Sequence, residues 1–276
     1  MPDLPTSSSP PNQAAGESMP QLPRFRLRLN ARVGALLLDL DLALISRWTV
    51  IFGPSGSGKS TILRAVCGLV PQAPRVGILS RRLAHRKGGG APEEWDQPHH
   101  RMAPHLRGLA YAPQGAVLFP HMSVRENISF PSAVRRGAAF QQPSDRQTGS
   151  GAELVEEAIR CFQLEALLGR RPGDLSGGES QRVSLARAFA VPHPRLILLD
   201  EPFTGIDRAL RDALLPRMQQ RAAQLGAPVL SVTHDVEEAL MLGAEVIRLE
   251  QGRILDQGPA SRVLAEERAR MLQMLL

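Results

Sequence analysis

The fold of this chain is decided by the stretch Gly53-Pro54-Ser55-Gly56-Ser57-Gly58-Lys59-Ser60, which fits the P-loop pattern G-x-x-x-x-G-K-[ST]. The run before it, Trp48–Phe52, is short, apolar and rich in β-branched residues, which is typical of a buried parallel strand. A helix is predicted over Lys59–Val66, ending near Gly68 and Pro71. This strand–loop–helix context is the one that the pattern requires, and a chance match in a chain of this composition has a probability of roughly 0.001–0.002.

The residue types in this loop suit a phosphate group. Glycines let successive backbone N–H groups converge on phosphate oxygens, and the start of a helix adds about half a positive charge at the same point. Lys59 supplies a mobile cation, and the Ser60 hydroxyl is a hard oxygen ligand for Mg²⁺. The predicted nucleotide-binding residues are Gly53, Pro54, Ser55, Gly56, Ser57, Gly58, Lys59, Ser60 and Thr61.

A pair of acids follows a second predicted buried strand, residues 196–199. Asp200 would then lie at the carboxyl edge of the sheet, where it can serve the Mg²⁺. Glu201 could polarise or deprotonate an attacking water. The alternative is that both acids are solvated and only open a turn before Pro202.

A second phosphate-facing helix start is indicated by Leu175-Ser176-Gly177-Gly178-Glu179. Ser176 and Glu179 form a capping box, which is by itself a structural reason for both residues. The two glycines inside the cap remove side chains from N–H groups that would face an anion. The helix is predicted to run from about Glu179 to Ala190.

Strands and helices alternate along the chain, which predicts an α/β fold around a parallel sheet. Two antiparallel strands are predicted first, in residues 25–29 and 38–44, because apolar and other residues alternate there. Further strands are predicted over residues 109–112 and 229–232, and a helix near Glu153.

Two stretches rich in Pro and Gly, residues 85–107 and 131–151, are predicted to be surface loops. The first contains several histidines, and imidazole is a common metal ligand, but the spacing matches no closed metal site. We expect a flexible loop, with a metal site as the alternative. The histidines are His85, His99, His100 and His105.

The composition is that of a globular protein. The chain has 276 residues, with 33 Lys+Arg against 27 Asp+Glu, and this net charge of +6 excludes an acidic protein. The basic residues are nearly all Arg and form no run longer than two, so we expect a solvated surface and no nucleic-acid partner. Cys67 and Cys161 have no metal-ligand spacing and are expected to be reduced thiols. No apolar run reaches the ~18–20 residues of a membrane helix, and residues 1–22 are expected to be a disordered tail, not a signal peptide.

The order of these motifs resembles that of the ATP-binding-cassette (ABC) ATPases over about residues 24–260. The resemblance implies an α/β P-loop NTPase fold of ABC type. It has a parallel-sheet core, an N-terminal antiparallel β subdomain and a helical signature subdomain at about residues 115–190. The implied boundaries are 1–22 for the tail, 23–260 for the ATPase domain and 261–276 for a C-terminal helix. The implied cofactors are ATP and Mg²⁺.

The resemblance also implies a role for each catalytic residue. Glu201 would act on the attacking water, and Gln114 would reach both that water and the Mg²⁺. His234 would touch the γ-phosphate and hold Glu201 in register. Ser60 and Asp200 would complete the metal site together with Gln114.

The implied mechanism uses two copies of the chain. Ser176, Gly177 and Gly178 would contact the γ-phosphate held by the P-loop of the other copy, and Asp207 would lie at the dimer interface. ATP binding would close the homodimer and hydrolysis would let it reopen.

Residues 116–128 are similar to the segment of importer ATPases that receives a coupling helix of a membrane permease. Exposed Phe119 and Met122 would suit such a contact, and the alternative is a packed loop between subdomains. The resemblance implies integral membrane permease subunits and, indirectly, an extracytoplasmic solute-binding protein as partners. It places the chain peripherally at the cytoplasmic face of the inner (plasma) membrane.

The closest likeness within the family is to the molybdate-importer ATPases. It rests on residues 208–216 and 245–258, and on the lack of an adenine-stacking aromatic near Arg32-Val33-Gly34, where Arg32 could pack on the base instead. Many of those proteins carry a C-terminal oxyanion-binding domain, which we expect to be absent because this chain ends at Leu276. The alternatives are an ABC ATPase for sulfate, iron or polyamine, or a soluble nucleic-acid-associated ABC ATPase.

Overall fold

The computed structural model describes residues 25–33, 36–70, 75–80, 93–97, 100–137 and 151–274. Its strands are β1 (Phe25–Val33), β2 (Leu36–Leu44), β3 (Trp48–Phe52), β4 (Arg75–Ser80), β5 (Glu93–Glu94), β6 (Asp96–Gln97), β7 (His100–Arg101), β8 (Leu109–Ala112), β9 (Leu196–Asp200), β10 (Val229–Thr233), β11 (Glu245–Glu250) and β12 (Arg253–Pro259). Its helices are α1 (Lys59–Val66), α2 (Val124–Gly137), α3 (Gly151–Cys161), α4 (Gly177–Phe189), α5 (Arg208–Leu225), α6 (Val236–Met241), α7 (Ala260–Val263) and α8 (Ala265–Met274).

A six-stranded sheet in the order β12-β11-β3-β10-β9-β8 contains the P-loop strand. Its neighbouring strands are parallel, except that β12 runs antiparallel to β11. Strands β9 and β10 are buried over their whole length, as continuous apolar runs in a parallel sheet should be. Because parallel strands end at one edge, the loops after β3, β8, β9 and β10 meet there. The predicted parallel sheet is confirmed, and β3, β8 and α1 have the predicted bounds.

A second, antiparallel sheet has the order β2-β1-β4-β5. The leucines of β2 alternate with exposed Asp39 and Asp41, so one face of the strand is apolar. That face packs on Ile62 and Leu63 of α1, which also contact the apolar side chains of the first sheet. The P-loop helix is therefore held between two sheets. The buried leucines are Leu38, Leu40, Leu42 and Leu44.

Helices α2, α3 and α4 share the larger of the two apolar cores with α5 and one face of the parallel sheet. Phe162 and Phe189 anchor the helices, with ring centroids 5.5 Å apart. The prediction of a surface loop over 131–151 is wrong at both ends, since α2 continues through Pro131 to Gly137 and α3 begins at Gly151. Burial of Ile128 and Ser132 on either side of the proline favours the helix over the cost of the missing N–H. Residues 138–150 lie outside the described residues.

The prediction of a surface loop over 85–107 holds for exposed residues 104–106 but is wrong at two buried residues, Trp95 and Arg107. Trp95 is fully buried, and its face lies 5.8 Å from the guanidinium carbon of Arg107. Arg107 is also fully buried and donates to the Met102 carbonyl at 3.0–3.1 Å and to the Val66 carbonyl at 2.9 Å. The segment thus closes the carboxyl end of α1, where helix carbonyls lack intrahelical donors.

Of the four histidines considered as possible metal ligands, His85 and His99 lie outside the described residues. Within the described ranges, no group of three or more His, Cys, Asp or Glu side chains is placed to hold a metal ion. Cys67 and Cys161 are free thiols, and burial raises their pKa to about 12 and about 11. No helix among the described residues is long and apolar enough to cross a bilayer.

The single C-terminal helix expected over 261–276 is two helices, α7 and α8, interrupted at Leu264.

Replacing Arg107 by Met should lower the free energy of unfolding by about 2–4 kcal/mol, because the Val66 and Met102 carbonyls lose buried donors. Urea denaturation measures this loss. The matched control is Arg253→Met on exposed β12, which should change stability by no more than about 0.5 kcal/mol. Equal losses in the two variants would contradict the role of Arg107.

Candidate active site

The P-loop leaves β3 and enters α1 through two residues with left-handed backbone. Gly56 has φ 81° and Gly58, the residue before the helix, has φ 102°, a region that side chains disfavour. A Cβ at Gly53 would come within 2.1 Å of the Leu249 carbonyl oxygen, so the strand end fits only glycine. This bent loop leads into the first amides of α1, which have no intrahelical acceptors and are available to an anion.

Lys59 is buried, and its Nζ donates to the carbonyls of Gly53 at 2.7 Å and Pro54 at 2.8 Å. Burial lowers the pKa of this ammonium, and the nearby carboxylates of Glu201 and Asp200 act against that shift. Ser57 and Gly58 are also buried, whereas Pro54, Ser55 and Gly56 are exposed and Thr61 is half-buried. The Lys59 ammonium therefore lies beneath the exposed residues 54–56 of the loop.

Asp200 ends β9 and meets the P-loop. The Ser60 hydroxyl donates to Asp200 Oδ1 at 2.9 Å, so the hydroxyl and carboxylate expected at a metal site lie together. Asp200 is 1% exposed, and burial raises the pKa of its carboxyl, with the Ser60 hydrogen bond opposing this. These two side chains offer hard oxygen ligands of the kind Mg²⁺ prefers. Their chemistry fits that ion.

Glu201 lies at the centre of a polar cluster just beyond β9. Gln114 Nε2 donates to Glu201 Oε2 at 3.0 Å, and His234 Nδ1 lies 3.3 Å from Oε1. The backbone of Glu201 has φ 47°, a strained value for this residue type that costs on the order of 1–3 kcal/mol and is found most often at functional sites. The structure therefore brings Gln114, Glu201 and His234 together.

Residues 176–178 start α4 and lie against the loop after β9. The predicted capping box is present: Ser176 Oγ accepts from the Glu179 amide at 3.2 Å, and Glu179 Oε2 accepts from the Ser176 amide at 2.7 Å. A Cβ at Gly178 would be 2.6 Å from the Gly205 carbonyl oxygen, whereas one at Gly177 would meet nothing within 4 Å. Within the described chain no hydrogen bond joins Ser176, Gly177 or Gly178 to the P-loop of the same copy.

Asp207 caps α5, with its Oδ1 accepting from the Leu210 amide at 2.9 Å, and its side chain is exposed. The capping bond accounts for the residue structurally and leaves its other carboxylate oxygen at the surface. Asp207 does not contact Glu201 among the described interactions.

Two polar residues of this site were not predicted from the sequence. Thr204 Oγ1 lies 3.4 Å from Glu201 Oε2, and Gln181 Nε2 donates to the Pro202 carbonyl at 3.1 Å. Gln181 is buried among the apolar residues of α4, and a polar residue within that apolar helical pattern was the signal in the sequence. Both residues fix the short turn that carries Glu201.

Behind His234 lies a buried acid, Glu238 of α6. Thr233 Oγ1 donates to Glu238 Oε2 at 2.7 Å, while Oε1 is buried and has no hydrogen-bond partner. Burial raises the pKa of this carboxyl to about 8. The acid thus holds a proton in the folded protein at pH values where an exposed glutamate would be ionised.

This fold and site define a P-loop α/β protein of the ABC type. The sequence profile of the family described as ABC transporter matches residues 39–204, and the chain belongs to that family. The predicted resemblance and fold class are confirmed.

Among similar proteins, the molybdenum import ATP-binding protein ModC of Pseudomonas aeruginosa is 36% identical over 87% of this chain and 61% of its own length. The spermidine/putrescine import ATP-binding protein PotA 1 of the same species is also 36% identical, over 82% of this chain and 55% of its own length. The solved structure of cbiO1 from Clostridium perfringens, part of the ABC transporter complex cbiONQ, shares the fold with a TM-score of 0.67. It is 22% identical, and the match covers 92% of this chain and 96% of that one. The chain spans about three fifths of the length of the first of these relatives.

The close contact of Gly178 with Gly205 predicts different effects of alanine at the two adjacent glycines. Gly178→Ala should lower the free energy of unfolding by about 1–3 kcal/mol, because the added methyl group meets backbone. Gly177→Ala, with open space around it, should be neutral or stabilising by up to about 1 kcal/mol. Denaturant melts without nucleotide compare them, and a loss of the same size in both would be incompatible with the packing described.

The buried Glu238 predicts a pH dependence of stability. Between its ordinary pKa of 4.5 and the folded value of about 8, the folded state retains a proton that the unfolded state releases. The wild-type protein should therefore lose stability relative to Glu238→Gln as the pH rises, by at most about 1.4 kcal/mol per pH unit. Urea melts at pH 5.5 and pH 8 test this, and a pH-independent difference between the two proteins would refute it.

Proposed function

We propose that this chain is the ATP-binding and ATP-hydrolysing subunit of an ABC importer. The observation that carries the proposal is the Glu201 carboxylate, which is held by Gln114 and His234 beside the Ser60–Asp200 pair. A simple anion-binding loop would need the P-loop alone. A carboxylate with oriented polar neighbours at the same sheet edge is what a hydrolytic reaction requires in addition.

ATP would be bound by the P-loop, residues 53–61. The α1 amides and the Lys59 ammonium suit the phosphates, although Lys59 would exchange its carbonyl partners for phosphate oxygens. Ser60 and Asp200, together with Gln114, would hold Mg²⁺, whose positive charge would offset the negative charge of the phosphates. A bound cation would also stabilise the ionised form of Asp200, whose pKa is raised by burial.

In hydrolysis Glu201 would accept a hydrogen bond from the attacking water and orient it. Gln114 keeps one carboxylate oxygen in place by donation, and His234 approaches the other. The His234 imidazole is 67% exposed, so its free edge can reach a phosphate oxygen. The contacts with Gln114 and His234 hold the Glu201 side chain at this sheet edge, on a backbone with positive φ.

The working unit would be a homodimer. Ser176, Gly177 and Gly178 have no hydrogen bond to their own P-loop among the described residues, and Ser176 and Gly177 are exposed at a helix start. A second copy could therefore offer its bound γ-phosphate to them. Exposed Asp207 would lie at the same interface.

The permease would dock on residues 116–128. The expectation of exposed Phe119 and Met122 needs correction: both are half-buried, and Phe119 packs on Phe130 at 4.5 Å between ring centroids. Val117 is the exposed apolar residue, at 64%. Buried Asn127 fixes the loop, accepting from the Phe119 amide at 2.8 Å and donating to the Ser123 carbonyl at 3.0 Å. A rigid loop with an apolar tip suits a short helix of a permease.

Molybdate, with tungstate, is the solute we propose, because a molybdenum import protein is among the relatives with the greatest coverage. A polyamine importer ATPase is equally identical, so polyamine is the second candidate. In either case the chain would act peripherally at the cytoplasmic face of the inner membrane. Permease subunits and an extracytoplasmic solute-binding protein would select the solute.

Glu201→Gln should lower ATP hydrolysis by ~10²–10⁴-fold, because the amide cannot act as a base, while ATP binding is kept. The variant should therefore accumulate as a dimer in Mg-ATP, which light scattering after gel filtration measures. Lys59→Ala should instead lose ATP affinity and remain monomeric. Glu250→Gln, an exposed acid at the end of β11, is the matched control and should behave as wild type. Absence of any Mg-ATP-dependent dimer of Glu201→Gln would exclude the proposed cycle.

A strain lacking the gene should contain less molybdenum and tungsten in medium with trace molybdate, while its sulfur and iron contents are unchanged. Elemental mass spectrometry measures all four elements. The wild-type gene, but not the Glu201→Gln gene, should restore the molybdenum and tungsten contents. Unchanged molybdenum together with impaired uptake of labelled spermidine would favour the polyamine alternative.

A further inference from the structure

A buried arginine joins the segment of Asp207 to the segment of His234. Arg211 lies in the first turn of α5, and its amide donates to the Asp207 carbonyl at 2.9 Å. Its side chain is 8% exposed. Burying a guanidinium is costly unless its donors are paired, so the partners of this group carry information about its role.

Three carboxylates surround the Arg211 guanidinium. Nη1 donates to Asp235 Oδ2 at 2.6 Å, Nη2 to Glu237 Oε2 at 3.1 Å, and Nε to Asp212 Oδ1 at 3.0 Å. Asp235 directly follows His234 in the chain, and Glu237 lies three residues after it. A buried, charge-assisted link therefore joins α5 to the segment that presents the imidazole.

The backbone on both sides of His234 is fixed by the same network. The Asp235 amide donates to Thr233 Oγ1 at 3.0 Å, and Asp235 Oδ1 caps α6 by accepting from the Glu237 amide at 2.8 Å. The imidazole itself is 67% exposed, and its hydrogen-bond partner is Glu201. Because so little holds the ring, its position depends on the backbone that Asp235 anchors.

The other end of the link reaches the start of α4. Gly205, two residues before Asp207, contacts Gly178 closely. Thr204, one residue further back, lies near the Glu201 carboxylate. A chain of contacts thus connects Gly178 to the Asp207 segment and, through Arg211, to Asp235. Asp235 is next to His234, which contacts Glu201 in the catalytic cluster.

We propose that Arg211 is a positioning residue. Through it, the position of the His234 imidazole relative to Glu201 depends on the position of the segment that contains Asp207. When a second copy packs against Asp207 and shifts this segment, the Arg211 guanidinium shifts Asp235 and the adjacent His234 imidazole with it. This inference rests on the proposed function, since it assigns Arg211 to the hydrolytic step of that site.

A second buried arginine on the same helix provides a matched control. Arg221 is also in α5, its side chain is 5% exposed, and it pairs with Glu157 of α3. This pair anchors α5 to the helical region and has no contact with the His234 segment among the described residues. Arg221→Gln should therefore reproduce the loss of a buried ion pair without the loss of positioning.

The experiment measures kcat and KM for ATP and the melting temperature of wild type, Arg211→Gln, Arg211→Lys, Arg221→Gln and Asp235→Asn, all assayed well below the lowest melting temperature. Arg211→Gln should lower kcat by about 10–100-fold with KM within about threefold, while Arg221→Gln lowers the melting temperature but keeps kcat within about twofold. Arg211→Lys should recover part of kcat, because the charge is kept. The double variant Arg211→Gln/Asp235→Asn should be no slower than the slower single variant, because the pair acts as a unit.

An Arg211→Gln enzyme with wild-type kcat, or a loss equal to that of Arg221→Gln, would overturn the inference. So would multiplication of the two effects in the double variant. If Arg211→Gln fails to fold, Arg211→Lys and Asp235→Asn decide the matter, since wild-type kcat in both also overturns it. Failure of the proposed function is distinguishable, because the wild-type protein would then hydrolyse no ATP.

Discussion

Parallel pairing of four strands is the constraint on which the site depends. The register aligns Val232 of β10 with Ile51 of β3 on one side and with Asp200 of β9 on the other. The next residues along these strands therefore include Gly53, Glu201 and His234, within one or two steps of the same level. Gln114 follows β8, which is paired with β9. A slip of two residues in any of these pairings would move one group about 7 Å along the strand and dismantle the cluster.

The same edge stores electrostatic and conformational cost. Lys59 and Asp200 are both buried. Burial lowers the pKa of Lys59 and raises the pKa of Asp200, and both shifts favour the neutral form of the group. Glu201 adds a strained φ value. On the proposed function these costs have a purpose, because phosphates and a divalent cation would supply the charges that the buried groups lack. The apolar packing of α1 between two sheets offsets the cost in the free protein.

Much of this arrangement was predictable from local sequence. The P-loop bounds, the alternating leucines of β2 and the Ser176–Glu179 capping box depend on neighbouring residues, and the structure contains all three. Other features depend on contacts that no local pattern encodes. Trp95 and Arg107 are buried within a stretch whose Pro and Gly content indicated a loop. The bond from Arg211 to Asp235 spans 24 residues and appears only when α5 packs beside the end of β10.

On the proposed function, the sheet edge binds ATP together with Mg²⁺ through Ser60 and Asp200. The most direct measurement is the ATP affinity of the Glu201→Gln protein by titration calorimetry, with and without Mg²⁺, compared with the same protein carrying Ser60→Ala. We expect Mg²⁺ to tighten binding by at least about tenfold, which corresponds to about 1.4 kcal/mol, and Ser60→Ala to remove most of that gain. An affinity that is independent of Mg²⁺, or a gain that survives Ser60→Ala unchanged, would contradict it.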